Sequence, residues 1–160
     1  MLRVAFTPKV TSTLTIRRLT ASDRDAWLGL WRAYLNFYRA RLEEDVSAET
    51  FRRLCDEDQG MAGLLARDGD ERPVGLAHLV FHASTWDQAP SCYLEDLFVD
   101  RAARGAGTGH ALMTAVDALA RERGASRVYW LTQAFNAPAR SLYDTVGRLT
   151  SFVVYERELE

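Results

Sequence analysis

The residues Arg104-Gly105-Ala106-Gly107-Thr108-Gly109 lie between a strand-like run and a helix-like run. A strand, a glycine-rich turn and a helix in that order aim a row of backbone N–H groups and the positive end of a helix dipole at one point, and such a point binds phosphate. Three glycines alone would equally make a plain flexible turn, so spacing must decide. A dinucleotide fingerprint needs Gly-x-Gly-x-x-Gly, but after Gly105 and Gly107 the third position is His110. A phosphate-loop nucleotidase needs lysine followed by Ser or Thr at the helix start, and this region has no lysine. Just upstream, Glu95 and Asp96 form a carboxylate pair that could take a proton, recruit a cation, or simply partner nearby arginines. His78, His82 and His110 fit no zinc spacing and accompany no nucleophilic serine elbow, so they read as structural. Cys55 and Cys92 stand without a Cys-x-x-Cys pair and read as reduced, buried thiols. No metal is expected.

The elements that must position these groups follow from periodicity. Residues 1–13 carry weak pattern and read as an N-terminal arm, and 14–160 as one domain opening with the alternating strand Leu14 to Leu19. Thr20 and Ser22 can cap a helix whose Trp27, Leu30, Trp31, Tyr34, Leu35 and Tyr38 recur at helical spacing. Ser47 can cap a second helix carrying Phe51 and Leu54, with acidic Glu43-Glu44-Asp45 between the two. Met61 to Arg67 and Val74 to Phe81, joined by Asp68-Gly69-Asp70-Glu71-Arg72-Pro73, read as a hairpin, and Cys92 to Val99 as the strand before the glycine run. A helix from about Ala106 to Arg123 ends at Gly124, and Arg127 to Thr132 is again a strand. Asn136 and Pro138 open a helix to about Val146, and Phe152 to Leu159 reads as a last strand.

Taken together, Arg104-x-x-Gly107-x-Gly109, the strand Tyr93-Leu94-Glu95-Asp96-Leu97-Phe98-Val99 and the distant Asn136-Ala137-Pro138-Ala139-Arg140-Ser141-Leu142-Tyr143 resemble the GNAT superfamily of N-acetyltransferases, in the expected order. The likeness covers nearly the whole chain from Leu14, and Leu-Glu-Asp-Leu-Phe-Val is similar to the diamine and polyamine branch. It implies an α/β (α+β) fold: a mixed, mostly antiparallel sheet splayed at its centre, with helices on both faces. It also implies acetyl-CoA as co-substrate, its pyrophosphate cradled by backbone amides of Arg104, Gly105, Ala106, Gly107, Thr108, Gly109 and His110. By the same resemblance Leu97, Phe98 and Val99 would pair with the pantetheine arm from a bulged strand, and Asn136 and Ala139 would complete the cofactor site. Tyr143 is then the expected proton donor to the departing sulfur, and Glu95 the base or a substrate-binding carboxylate. Three departures concern the acceptor more than the cofactor: Thr108 replaces a branched apolar residue, Arg101 a common proline, and Gly147-Arg148 the commoner glycine-phenylalanine pair.

Acyl transfer to an amine needs a neutral amine, a stabilised oxyanion and a proton for the leaving thiolate. Cys55 and Cys92 lack a motif that would activate them, so direct attack in a ternary complex is expected. Glu43, Glu44, Asp45, Asp87, Glu95 and Asp96 favour a small cationic acceptor resembling a diamine or polyamine, with Tyr34, Tyr38 and Trp86 as candidate acceptor contacts. The competing readings are protein amines, amine antibiotics, or a non-catalytic acyl-CoA-binding module. A net charge of −2 excludes a general pull toward nucleic acid or an anionic membrane, although all but one of the 20 basic side chains are arginine. No run spans a bilayer and no signal layout opens the chain, so a cytoplasmic enzyme is expected. The family likeness also implies a homodimer through Phe152 to Leu159.

Overall fold

The computed structural model describes residues 13–159, so residues 1–12 of the expected arm lie outside the described part. Five strands form one sheet in chain order: β1 (Thr15–Arg18), β2 (Met61–Arg67), β3 (Pro73–His82), β4 (Ser91–Val99) and β5 (Arg127–Trp130). The first three pairings are antiparallel and the last is parallel. A parallel neighbour cannot be reached by a hairpin, which is why the helix α3 (Thr108–Glu122) crosses over between β4 and β5.

Two cores result, one on each sheet face. On one face α1 (Arg24–Phe37) and α2 (Glu44–Cys55) bury Trp27, Leu30, Trp31, Phe51 and Leu54 against Leu65, Leu76 and Phe98. On the other, α3 buries Leu112, Met113, Val116 and Leu119 against Ala66, Ala77, Leu79, Cys92 and Leu94, with α4 (Ala137–Val146) beside it. Strands buried on both faces read as continuous apolar runs, as β2 and β3 do. A single buried polar ring, His78, interrupts the apolar centre of β3.

Three expectations need correction. Ser47 does not cap α2: the helix begins at Glu44, with Glu44 and Asp45 at its positive N-terminal end, and Ser47 lies inside, accepting a hydrogen bond from Trp31 Nε1 at 3.1 Å. Trp86 is 97% exposed and joins no aromatic cluster among the described residues. Phe152 to Leu159 forms no strand. The segment has no ladder partner among the described residues, and Phe152, Val154 and Tyr155 are 89%, 65% and 92% exposed. Its alternation is strand-like, but a strand exists only where another edge pairs with it, and in one copy none does. No helix among the described residues is long and apolar enough to cross a membrane.

Candidate active site

The centre of the site is a fault in the β3–β4 ladder. His78 pairs with Asp96 and Leu79 with Leu94, so Glu95 is an extra residue with no counterpart on β3. Such a bulge reverses the side-chain alternation from that point on. Before it, Cys92 and Leu94 face α3; after it, Leu97 and Val99 do, while Asp96 and Phe98 turn toward α1. Glu95 thereby stays near its neighbour carboxylate rather than being thrown to the opposite face: Tyr93 feels both Glu95 and Asp96, and Glu95 feels Asp96 and His78. Partial burial, then the Asp96 charge, push the Glu95 carboxyl above its ordinary value, against a smaller opposing pull from His78.

The same bulge opens the sheet. β5 pairs with β4 only from Ser91↔Arg127 to Leu94↔Trp130, and beyond Leu94 the two strands part. The second edge of residues 95–99 is left without a strand neighbour among the described residues, and its backbone N–H groups are available to a ligand. The splay expected from the sequence is therefore centred on Glu95, with Leu97, Phe98 and Val99 along its β4 side.

At the far end of β4 the chain makes one 3-10 turn and enters the glycine run. Gly105 and Gly107 have φ of +79° and +84°, a backbone region closed to ordinary L side chains without strain. Gly107 is the N-cap of α3 and supplies no capping side chain, so the first N–H groups of the helix, on Thr108, Gly109 and His110, point outward as donors. That array fits a pyrophosphate. The side chains of the run have other tasks. Thr108 is buried with its hydroxyl toward the Ala103 carbonyl at 3.4 Å, and His110 Nε2 lies 3.3 Å from Thr145 Oγ1. Arg104 donates from Nε to the Val99 carbonyl at 3.0 Å and lays its guanidinium over Phe37 and Phe98, tying the loop to α1.

The helix α4 closes the site from the other side. A Cβ on Gly109 would stand 2.9 Å from Leu142, so the start of α3 touches α4 directly. Asn136 is the N-cap, its Oδ1 accepting from Ala139 N–H at 3.4 Å, which leaves the Asn136 amide N–H groups for a ligand while Ala139 N–H is already engaged. Tyr143 packs on Trp130, ring centroids 5.4 Å apart, and burial pushes its phenol up to about 12. Tyr38 contributes to that shift, and Tyr34 feels Asp96, Tyr38 and Tyr143 together. Tyr34 and Tyr38, both read from the α1 stripe, thus border the same opening as the carboxylates and Tyr143.

The resemblance implied a bulge in β4 but not its position at Glu95, which has no local signature because register belongs to a pair of strands. The contact of His78 with Asp96, Nδ1 to Oδ2 at 2.9 Å, makes a residue taken as structural a neighbour of the site. Its available signal was a histidine in an otherwise apolar strand. Among the described residues no group of three His, Cys, Asp or Glu side chains could hold a metal ion.

The model of the acetyltransferase (GNAT) family matches residues 27–147. A D-amino-acid N-acetyltransferase of Saccharomyces cerevisiae is 33% identical over 151 residues, 92% of each chain. A thialysine N-epsilon-acetyltransferase of Caenorhabditis elegans is 32% identical over 90 residues, 56% of this chain and 55% of that one. Among solved structures, the aminoglycoside acetyltransferase AAC(6')-Iy, in complex with a CoA-linked bisubstrate analogue, superposes with a TM-score of 0.79 at 20% identity, covering 92% of this chain and 99% of that chain.

Proposed function

This chain belongs to the acetyltransferase (GNAT) family, and on that premise we propose that it acetylates the primary amine of a small cationic, diamine-like acceptor by direct attack in a ternary complex. It is an acyltransferase that acts on amines and uses acetyl-CoA, which supplies the activated acetyl group. The finer reading rests on one observation: the bulge at Glu95 gathers two carboxylates and the rings of Tyr34, Tyr38 and Tyr93 where β4 and β5 part. A cation is attracted by both carboxylate charge and aromatic faces. An acceptor carrying its own carboxylate beside the amine would be repelled there.

The roles divide by environment. The exposed Glu95, its carboxyl raised above the ordinary value, takes the proton that the ammonium must lose. Backbone N–H groups on the open edge of residues 97–99 and the first turn of α3 hold the pantetheine arm and the pyrophosphate, with Asn136 adding its amide. The Tyr143 hydroxyl holds its proton at neutral pH and donates a hydrogen bond to the sulfur as charge develops there; as the C–S bond breaks the sulfur takes that proton, and the tyrosine regains one from the second N–H that the acceptor nitrogen loses. A phenol at about 12 is too weak an acid to give the proton up earlier. Burial raises both Cys92, to about 11, and Cys55, so neither offers a thiolate to carry the acetyl group, in keeping with direct attack.

We further propose that the working form is a homodimer in which residues 152–159 of each copy pair along β5 of the other. In support, the segment exposes Phe152, Val153, Val154 and Tyr155, and a groove of about 960 Å³ is lined by β5, α4, the end of α3 and the segment's own Phe152 and Val154. A thiol-release assay over diamines, aminoglycosides, peptides with free N-termini and D-amino acids tests the acceptor. Turnover highest on diamines is expected. Preference for zwitterionic amino acids would overturn the cationic acceptor while leaving the acyl transfer in place.

A further inference from the structure

Beneath the carboxylate pair runs a buried chain of side chains that the acyl-transfer chemistry does not use. Trp27 Nε1 donates to His78 Nε2 at 2.8 Å, and each of the two residues is only 1% exposed. An indole nitrogen is a donor only, so Nε2 of His78 must be the acceptor and the ring proton must sit on Nδ1. Nδ1 lies 2.9 Å from Asp96 Oδ2. Burial, then the Asp96 charge, push the Tyr34 phenol up, so its hydroxyl keeps its proton beside the same carboxylate. Tyr34 is in turn held between Trp31, stacked at 5.4 Å, and Phe98, edge-on at 5.9 Å. The His78 N–H thus points at Asp96, with the Tyr34 hydroxyl beside it. The Asp96 side chain is 15% exposed, so some of the remaining lone pairs open to the cleft.

The two carboxylates therefore stand in different environments. Glu95 is exposed and has no hydrogen bond or ion pair fixing it among the described residues, whereas Asp96 is clamped from behind. Building on the cationic acceptor proposed above, we propose that Asp96 is the anchoring carboxylate for the acceptor's ammonium group, and that His78, its tautomer set by Trp27, is a positioning residue that holds Asp96 in place. The clamp also dictates what an isostere would do. An amide at 96 must turn its oxygen toward the His78 N–H, which turns its NH2 toward the cleft, where it meets the acceptor donor to donor.

Binding of 1,4-diaminobutane to the full chain saturated with CoA, measured by calorimetry, tests this without requiring turnover. Asp96→Asn is expected to weaken the diamine about tenfold or more, with CoA affinity within about twofold of the parent. His78→Asn, whose amide nitrogen overlays Nδ1 and still donates to Asp96, is expected to bind within about threefold of the parent. His78→Gln, which reaches Trp27 but loses that donor, is expected to fall with Asp96→Asn, and the two changes combined to lose no more than Asp96→Asn alone. Unchanged diamine binding in Asp96→Asn would overturn the anchor. Equal weakening by both His78 variants would overturn the positioning role. If burial at 78 prevents folding, read as lost CoA binding, Tyr34→Phe carries the test by removing the hydroxyl beside Asp96, and full diamine affinity there counts against the clamp. Failure of the parent itself to bind the diamine refutes the acceptor reading on which this rests, and is distinguishable because it occurs before any substitution.

Discussion

The indole of Trp130 on β5 supports Tyr143 on α4, ring centroids 5.4 Å apart, and the same indole closes over Gly147, where a Cβ would stand 2.6 Å from its Cη2. Gly147→Ala must therefore displace a large ring that has no flexible end to yield. A loss of about 1–3 kcal/mol in denaturant unfolding is expected. Because the ring that moves is the one behind the tyrosine hydroxyl, kcat should fall in the same variant while CoA binding, set at the glycine run, stays. Wild-type stability in Gly147→Ala would show that Trp130 can move freely and does not fix Tyr143.

Tyr143→Phe removes only the hydroxyl. A fall in kcat of about a hundredfold is expected, with the Kd for CoA within about twofold. With its phenol at about 12, Tyr143 stays protonated through pH 10, so the parent enzyme should show no loss of kcat from this group between pH 7 and 10. A variant as active as the parent would remove Tyr143 from the chemistry.

Glu95 must be ionised to accept a proton, so kcat/KM should fall as the pH drops through its pKa. Burial and the Asp96 charge raise that pKa, which moves the fall to higher pH than an ordinary glutamate would give. The charged neighbour that raises this limb is Asp96. Glu95→Gln should lower kcat/KM by roughly a hundredfold or more and remove the glutamate's contribution to the acid limb, leaving that of the acceptor ammonium. Persistence of the parent's limb in Glu95→Gln would assign it elsewhere.

Most strands and helices could be read in the sequence to within a few residues, because the stripe from Trp27 to Tyr38 and the two apolar runs either side of the Asp68 to Pro73 turn are local patterns that folding leaves intact. Ser47 misled because a serine ahead of a periodic run looks the same whether it caps the helix or, as here, accepts from Trp31 inside it. Glu95 and Asp96 were legible as a pair but not as neighbours on one side. Consecutive strand residues face opposite ways unless a ladder slips, and the slip between His78 and Leu79 depends on β3 as much as on β4. The link from Trp27 through His78 to Asp96 joins three elements and leaves no spacing to find.

Away from the site, Asp23 is 2% exposed and accepts both arms of Arg17 at 2.7 and 2.8 Å, Arg67 at 3.3 Å, and Thr20. Arg17 holds its carboxyl far below the ordinary range against the opposing cost of burial. A carboxylate depressed on folding contributes stability above its unfolded pKa of about 3.9 and loses it as the pH falls toward the folded value. Asp23→Asn should destabilise by about 3 kcal/mol at pH 7. The gap between parent and variant should narrow steadily below about pH 4, and a gap constant down to pH 2 would deny Asp23 its charge-dependent role.

Ending the chain after Thr150 removes Phe152, Val153, Val154 and Tyr155, whose side chains contribute little to the core of one copy. If these residues pair along β5 of a second copy, sedimentation should show a dimer for the full chain and a monomer for the shortened one. β5 would then regain a bare edge, and the shortened chain should aggregate more readily. An unchanged sedimentation coefficient per unit mass in both would refute the exchange. The same experiment separates assembly from catalysis, because Glu95, Asp96 and Tyr143 all lie before the cut: a monomer that keeps kcat shows that one copy builds the whole site.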